Sequence, residues 1–547
     1  MSDPFIGQNE DGYVCLKRDQ FPDNVKETEQ LSCSYDLRDP SSLQLTEFSK
    51  IHGPGSITVT SPSGKPLESL TASLTVGPYG PTLFQDIDLI QGLSHVAREK
   101  IPERLVHAKG AGAEGYFEVT ENVTHLTKAA AFKPGSKWPV VVRFSTVAGG
   151  GDSADTLRDA RGLAVKFQTN EGVFDLLTLN TPVFFIRDPM LFPQLLHTHK
   201  KNPVTNLHDA DAYWDFAALR PEVVHALMYV FGDTGTPDGY RHIHGFGGNP
   251  YKLVNYAGET QYCKFHLKSN QGLKNLSAER AMELAGSDPD YATRDLYDAI
   301  ARKNYPSWTL AVQIMKTEEA ENFPWIAFDV TKVWPEEQYP LYPVGILTLT
   351  QNVKDYFRFV EQAAFSPTRL IPGIELTSDK VLQGRSFIYP QTQMHRLGTN
   401  FQDLEVNRPR YSRVVSMERA GAYQQRMDDG YPSYYPTSFT NYTTSSRAAT
   451  TRFNLSDTVG RYDSRDNDNF SQPRTLWLNM LEDERQRLVA NIAADVKNAS
   501  PNIQARVVDM FKQVHIDFGQ KLHEELSQYN TCCTKSYRIN KPRVFRK

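Results

Sequence analysis

The sequence has few cysteines, no long apolar run and no large excess of charge of either sign. Its 5 cysteines are odd in number and scattered over 547 residues, so we interpret them as reduced thiols of an intracellular protein. No stretch approaches the roughly 18 to 20 apolar residues that a membrane span needs. Because 60 basic and 64 acidic side chains leave a net charge of −4, a nucleic-acid-binding protein is also disfavoured.

Targeting signals and common enzyme motifs are missing as well. The first residues contain neither the basic nor the apolar segment of a signal peptide, and the end, 543–547, is not a Ser-Lys-Leu peroxisomal address. We expect an intracellular protein, either cytoplasmic or peroxisomal through a divergent signal. The chain has no P-loop, HExxH, CxxC or GxSxG motif, so the chemistries that these motifs support are not indicated.

The composition is that of a globular chain with more than one structural unit. Residues 1–75 are polar and rich in Ser, Pro and Gly, which predicts an N-terminal arm, extended or loose. A dense β-rich core is predicted over 76–365 and a connecting or wrapping segment over 366–475, whose part near 428–472 we expect to be mobile. A helical C-terminal domain is predicted over 476–547.

Hydrophobic periodicity supports an α+β fold. Short runs of β-branched and aromatic residues at 138–147, 162–167, 173–177 and 345–349 predict strands, and helical stretches are predicted near 207–231 and 277–303. In the C-terminal part, helical spacing defines two apolar faces. The first comprises Leu481, Leu488, Ile492 and Val496, and the second comprises Ile503, Val507, Met510 and Val514.

Three short segments contain residues that could take part in catalysis or bind a cofactor. His107 lies among small residues that would leave room for proton transfer, although a lone histidine of this kind is more often structural. On a strand, Arg143 and Ser145 would face the same side and could meet one buried partner. On a helix, Arg385 and Tyr389 would be one turn apart, and a guanidinium favours a phenolate, which can bind ferric haem iron.

In this order, these segments resemble the haem catalase family. The resemblance covers residues 76–400 densely and the C-terminal helices more loosely, through the motifs at 101–104, 107–113, 115–120, 143–148, 184–189, 305–308, 328–335 and 383–390. It implies an antiparallel β-barrel core with an N-terminal arm, a wrapping segment and a C-terminal helical domain. It also implies a buried haem b and a homodimer or homotetramer built through interlocking arms.

The resemblance also implies a role for individual residues. His107 would be the distal acid/base and Ser145 its hydrogen-bond partner, while Tyr389 would be the axial iron ligand, kept ionised by Arg385. The other implied cofactor-binding residues are Arg104, Arg143 and Arg396, which would pair with the haem propionates, and Val106 and Phe192, which would line the distal side and its access channel.

The sequence departs from the family around the expected haem. Catalases usually have an asparagine that orients peroxide where this chain has Leu179, and Asn180 would replace it only after a one-residue slip of the strand. Losing one preorganised polar group typically lowers a rate by about 10²- to 10³-fold. Glu114 would place a carboxyl near the distal histidine segment, and Asn249 and Gln393 stand where histidines are common.

The nucleotide site known in the family is also altered. His225, Lys268 and Trp334 match it, but Thr234 replaces the arginine expected at the 2′-phosphate of NADPH, and His244 replaces an asparagine. Because that arginine provides the main electrostatic selectivity for the phosphate, we expect weak or absent NADPH binding.

Three functions follow from this pattern. The first is a haem oxidoreductase that uses oxygen, superoxide or peroxide to oxidise a small organic substrate, for example by a chanoclavine-type cyclisation in ergot-alkaloid biosynthesis, with weakened peroxide dismutation. The second is a true catalase that converts hydrogen peroxide to water and oxygen, and the third is a non-catalytic haem-binding protein. Val106 disfavours an allene oxide synthase, which usually has threonine before the distal histidine.

Overall fold

The computed structural model describes residues 6–8, 14–16, 39–53, 55–320, 323, 327–426, 430–454 and 456–536, without the side chains of 6–8, 14–16 and 530–536. The predictions for Cys33, for the other terminal cysteine side chains and for the carboxyl end fall outside this part of the chain. Cys263 is a free, buried cysteine, and burial raises the pKa of its thiol. The chain divides into two compact units, one ending at Pro102 and one starting at Glu103.

The first unit contains two short strands and two helices. Strands β1 (Ile6–Gln8) and β2 (Val14–Leu16) pair antiparallel, and the helices are α1 (Gln44–His52) and α2 (Ile87–Val96). Helix α1 lies in the segment expected to be an extended or loose arm, and it buries none of its side chains. Helix α2 begins at Asp86, whose side chain accepts a hydrogen bond from the backbone of Leu89 and so caps the helix.

The second unit is built on a closed antiparallel barrel. Its strands are β3 (Gly110–Val119), β4 (Lys137–Thr146), β5 (Arg161–Thr169), β6 (Gly172–Leu179), β7 (Gly245–Phe246), β8 (Tyr251–Val254), β9 (Thr260–Ser269), β10 (Ser307–Lys316), β11 (Tyr342–Asn352) and β12 (Ile374–Glu375). Because β10 pairs with both β9 and β11, eight strands close in the order β10-β11-β3-β4-β5-β6-β7-β9, while β8 and β12 extend the edge of β9. The predicted barrel and α+β class are confirmed.

The alternation of side chains along β4, β5 and β6 separates the barrel core from a second buried face. Val142 and Phe144 of β4 belong to the main apolar core, together with aromatic residues such as Phe117, Phe167 and Phe265. Arg143 and Ser145 point to the opposite face, which is also buried. These strands were predicted from their runs of β-branched and aromatic residues, although both of their faces are largely buried.

Helices surround the barrel and form the C-terminal region. They are α3 (Phe192–His199), α4 (Ala210–Leu219), α5 (Val224–Phe231), α6 (Ala278–Ser287), α7 (Tyr291–Ala301), α8 (Thr317–Ala320), α9 (Lys380–Leu397), α10 (Ser471–Asn479), α11 (Glu482–Val496), α12 (Pro501–Val514) and α13 (Ile516–Ser536). Helices α3 to α5 share one apolar cluster with α10 to α13. None of the helices in the described part of the chain is long and apolar enough to cross a membrane.

The predicted C-terminal helical region is confirmed, with one correction. Both predicted apolar faces are buried apart from Leu481, which is 66% exposed. Leu481 precedes α11 as its N-cap, so it lies outside the helical periodicity that includes Leu488 and Ile492. The proposed division of the chain at residues 75, 365 and 475 stays a prediction, as does the mobility of 428–472.

Candidate functional site

His107 lies just before β3 in a conformation that its neighbours hold in place. Its φ of 66° is in the left-handed region, which is unfavourable for a residue with a side chain. The backbone N–H of His107 donates to the carbonyl of Val147 at 3.0 Å, and Arg143 donates to the carbonyl of His107 at 2.7 Å. The ring Nδ1 lies 2.8 Å from Ser145 Oγ. His107 is therefore the single partner that Arg143 and Ser145 share.

A glycine on the neighbouring strand makes room for this pair. A Cβ at Gly162 would lie 2.6 Å from Ser145 Oγ and 2.8 Å from His107 Nδ1, which is closer than real contacts allow. Sequence analysis did not single out Gly162, although a glycine inside a strand often marks a close approach of another group. The absence of a side chain at Gly162 is thus part of the histidine site.

The surroundings of His107 keep its imidazole neutral. Burial lowers its pKa to about 3, and the positive charges of Arg143 and Arg385 act in the same direction. A neutral imidazole bonded through Nδ1 to Ser145 has Nε2 left to exchange protons with a small molecule. The side chain thus suits a proton acceptor and donor at neutral pH.

Helix α9 holds Arg385 and Tyr389 one turn apart. Arg385 Nη2 donates to Tyr389 Oη at 2.9 Å, and its Nη1 donates to Asn249 Oδ1. Asn249 Nδ2 donates in turn to Asp379 Oδ2 at 2.6 Å, and Asp379 caps the start of α9. Although burial opposes the charge of Arg385, its neighbours, Tyr389 above all, raise its pKa. A permanent cation therefore contacts the phenolic oxygen and favours negative charge on it.

Two of the three further arginines share a single carboxylate. Glu361 accepts from Arg104 at 3.3 Å and from Arg396 at 2.9 Å. Arg143 is buried, and its Nε has no hydrogen-bond partner among the described residues. Buried guanidinium groups bind carboxylates well, so this group of arginines suits a ligand that carries carboxylates. Glu361 itself has no sequence signal that would have singled it out.

The structure brings the predicted residues together around one cavity of about 430 Å³. Its lining includes all nine residues named from the sequence, which are Arg104, Val106, His107, Arg143, Ser145, Phe192, Arg385, Tyr389 and Arg396. Asn249 and Gln393 line the same cavity, and Gln393 accepts a hydrogen bond from Arg396. The cavity thus combines a proton-exchanging imidazole, a phenol paired with a cation and a cluster of arginines.

The wall next to His107 is apolar where the resemblance implies an amide in most members of the family. Leu179 pairs with Gly162 across β6 and β5, and it lines the cavity. The side chain of Asn180 points elsewhere, since it donates to the carbonyl of Thr234 at 2.8 Å and accepts from the backbone of Arg161. The pairing of β6 with β5 is therefore not shifted by the one residue that would bring the Asn180 side chain to the cavity.

The expected carboxyl near the distal histidine segment is not found in the cavity. Glu114 on β3 pairs with Arg410 at 3.4 Å, and it is not among the lining residues. The register shift of β3 against β11 occurs beside Glu114, where Gln351 follows Leu349 in the pairing. This local irregularity could not be read from sequence spacing.

Comparison with known proteins identifies the family. A family model described as "Catalase" matches residues 60–441, and one described as "Catalase-related immune-responsive" matches residues 463–526. The chain belongs to the catalase family. The catalase of Ascaris suum is 48% identical to it over 480 residues, which cover 87% of this chain and 89% of the relative. The catalase of Sus scrofa is 49% identical over 501 residues, which cover 90% and 95%.

Solved structures agree with the sequence relatives. A fungal catalase superposes with a TM-score of 0.84 at 41% identity, covering 86% of this chain and 98% of the other. Catalase A from Saccharomyces cerevisiae gives a TM-score of 0.83 at 41% identity, covering 86% and 99%. The recognition of the catalase family from motifs is therefore confirmed.

Haem iron is the cofactor of this family, and the cavity of this chain fits it. Tyr389 would supply a phenolic oxygen to the iron, and the hydrogen bond from Arg385 favours the anionic form of that oxygen. The guanidinium groups of Arg104, Arg143 and Arg396, which line the cavity, would suit the propionates of haem b. His107, held by Ser145 in the same cavity, would exchange protons with a small molecule bound there.

Proposed function

We propose that this catalase-family protein decomposes hydrogen peroxide to water and oxygen at a haem ligated by Tyr389. The observation that carries the proposal is the convergence of the His107–Ser145 pair and the Arg385–Tyr389 pair on one cavity. The catalases at 48% and 49% identity over most of the chain support the same activity. In the overall reaction, two molecules of peroxide yield two of water and one of oxygen, so that one is reduced and the other oxidised.

In this proposal, the residues of the chain bind the haem and move protons. The haem supplies an iron centre that exchanges electrons with peroxide. Nε2 of His107 accepts the proton from one peroxide oxygen and returns it to the other, while Ser145 holds Nδ1 and so fixes the orientation of the ring. Arg385 stabilises the anionic Tyr389, and the three other arginines bind the propionates.

Leu179 is expected to slow this reaction without abolishing it. A leucine cannot donate a hydrogen bond to peroxide, so the polar group that would help His107 to orient the substrate is missing at this position. The hydroxyl protons of two nearby threonines are already used in hydrogen bonds. Thr178 donates to the carbonyl of Leu163, and Thr181 donates to that of Val183. We expect a catalase whose turnover is lower than that of a relative with the asparagine.

The test is oxygen release per haem. The purified protein is loaded with haem, its haem content is measured by absorbance, and oxygen evolution from hydrogen peroxide is followed beside the Sus scrofa catalase. Turnover within about 10³-fold of the relative supports the proposal, since this is the loss that one missing polar group produces. Full haem occupancy with no oxygen release above that of free haem contradicts it.

The apolar distal wall favours a second candidate, which is oxidation of a small organic substrate. Leu179, Val147, Phe184 and Phe192 line the cavity with His107, and such a surface accepts an apolar molecule. The catalase relatives favour peroxide decomposition over this function, and nothing in the comparisons supports a chanoclavine-type cyclisation. A purely haem-binding role would leave the His107–Ser145 pair without a use.

The two enzymatic functions differ in the product that hydrogen peroxide yields, which is either oxygen or an oxidised organic molecule. Incubation of the haem-loaded protein with hydrogen peroxide and small apolar alcohols, phenols or amines shows whether product forms at the expense of oxygen. Organic product with little oxygen supports the second candidate, and oxygen without product supports the first. A homodimer or homotetramer, which the family suggests, is tested on the same sample by its mass in solution.

A further inference from the structure

One side of helix α3 forms a wall of the cavity that contains His107. Helical spacing of three and four residues places Phe192, Leu196 and His199 on this side, and all three line the cavity. Lys200, which ends the helix, lines it too and is exposed. A rise of about 1.5 Å per residue puts roughly 10 Å between Phe192 and His199 along the helix. We call this part of the cavity, which reaches the exposed Lys200, the α3 passage.

The wall that α3 presents to the cavity is apolar except at one position. Phe192, Leu195 and Leu196 belong to it, and Phe185 lines the same cavity. Within α3, which the structure describes in full, His199 is the one polar side chain of the lining. A polar molecule that enters such a space gives up hydrogen bonds to water, which costs free energy unless the wall replaces them. A hydrogen-bonding group at His199 would therefore ease its entry.

The hydrogen bonding of His199 determines which of its ring nitrogens can accept. Nδ1 lies 2.8 Å from the carbonyl oxygen of Leu195, one turn earlier in α3. A carbonyl oxygen can only accept, so Nδ1 carries the proton and Nε2 of the neutral ring has a lone pair. Although this hydrogen bond and the charge of Asp159 oppose it, burial lowers the pKa of His199 below its ordinary value, which favours the neutral ring.

Two aromatic neighbours hold the His199 ring in place. Its centroid lies 6.0 Å from that of Phe185 and 5.0 Å from that of Tyr213, and both contacts are edge to face. Nε2 has no hydrogen-bond partner among the described residues, and it is not fully buried. Since the side chain lines the cavity, Nε2 is a preorganised acceptor in the α3 passage. Sequence analysis did not single out His199.

We infer that His199 guides hydrogen peroxide towards His107, because its Nε2 accepts a hydrogen bond from a peroxide O–H in the α3 passage. The inference rests on the proposed function, which makes peroxide the substrate. His199 exchanges no proton with peroxide in this role, and its effect is on the rate of entry. Lys200 cannot replace it, since an ammonium group donates hydrogen bonds and accepts none.

The test compares the entry of two small ligands into the haem-loaded protein and its His199→Phe variant. Phenylalanine keeps an aromatic ring beside Phe185 and Tyr213 but has no acceptor. Hydrogen cyanide donates a hydrogen bond and nitric oxide cannot, and the association of each with haem iron is followed by stopped-flow absorbance. The variant is expected to slow cyanide association about 3- to 10-fold, as one hydrogen bond predicts, and to change that of nitric oxide less than about twofold. Equal slowing of both ligands, or no slowing of cyanide, would overturn the inference.

Two further variants separate the hydrogen bond from other effects of the substitution. His199→Gln keeps an acceptor on the side chain, so cyanide association should be restored to nearly the original rate. His197→Phe makes the matched change at an exposed histidine of α3 that does not line the cavity, and it should leave both rates unchanged. Slow cyanide association in His199→Gln, or equal slowing in His197→Phe and His199→Phe, would contradict the assignment.

Oxygen release distinguishes the role of His199 from the proposed function itself. At low peroxide concentration, the rate of oxygen release per haem in His199→Phe should fall by the same factor of about 3 to 10, with haem content intact. An unchanged rate despite slowed cyanide entry would refute the guidance of peroxide. If the unaltered protein releases no oxygen, the proposed function fails, and the comparison of cyanide with nitric oxide still decides whether Nε2 of His199 accepts a hydrogen bond from an entering molecule.

Discussion

Arg385 donates a 2.9 Å hydrogen bond to the phenolic oxygen of Tyr389, and the same guanidinium is held from behind by Asn249. Asn249 connects it in turn to the buried carboxylate of Asp379, whose pKa is raised by burial. The amide carries no charge, so the positive charge of Arg385 stays directed at Tyr389. A neutral residue at position 249 thus separates two buried charges that would otherwise compensate each other.

A charge placed at position 249 is therefore expected to alter the redox potential of haem iron bound through Tyr389, as proposed above. Asn249→Asp adds a carboxylate next to Arg385, which weakens its stabilisation of Tyr389 and favours the ferric over the ferrous state. The midpoint potential of the bound haem should move to a lower value, as measured by spectroelectrochemical titration. Gln393→Glu adds the same charge beside Arg396 and should shift the potential less. An unchanged potential in Asn249→Asp, with haem fully bound, would refute this link.

Leu179 offers a direct test of the apolar distal wall. Leu179→Asn restores an amide facing His107 and should raise peroxide turnover per haem by about 10- to 100-fold, because a polar group again orients peroxide. Leu177→Asn is the control, since Leu177 lies on the same face of β6 but pairs with Ala164 instead of Gly162. No gain in Leu179→Asn, with haem content intact, would show that this position does not limit the reaction.

The space above Gly162 gives a steric prediction. Gly162→Ala places a methyl group 2.8 Å from His107 Nδ1, so the His107–Ser145 hydrogen bond must lengthen or break. We expect peroxide turnover to fall by about 10-fold or more while haem remains bound, because proton transfer depends on the orientation of the ring. Gly150→Ala is the matched control, since its nearest neighbour would lie 3.8 Å away. Equal effects of the two substitutions would count against the steric explanation.

Much of the architecture and of the site could be predicted from local sequence. The strand Lys137–Thr146 was predicted from its β-branched and aromatic residues, and the alternation of side chains along it correctly placed Arg143 and Ser145 on one face. The pairing of Arg385 with Tyr389 followed from helical spacing alone. These features depend on neighbours within a few residues, which the sequence displays directly.

The features of the fold and of the site that could not be predicted depend mostly on contacts between segments far apart in the sequence. Glu361 joins Arg104 across 257 residues, and Glu336 neutralises Lys268 across 68 residues, so neither partnership has a local signal. Leu481 matched the helical spacing and was therefore predicted to be buried. It is exposed because it is the N-cap of α11 and lies outside the helix itself. Glu114 pairs with Arg410 across 296 residues and does not line the cavity, and this contact has no local signal either.

The lowered pKa of His107 predicts how peroxide turnover depends on pH. Because that pKa is about 3, against an ordinary value of 6.5, the imidazole remains neutral until the pH falls towards 3. Turnover per haem should therefore change by less than about twofold between pH 5 and pH 9, in initial rates of oxygen release with haem absorbance recorded at each pH. Arg143 is one of the charges that lower this pKa, so Arg143→Gln should move the acid limb to higher pH. An acid limb centred near pH 6.5 in the unmodified protein would mean that His107 titrates as an exposed histidine does.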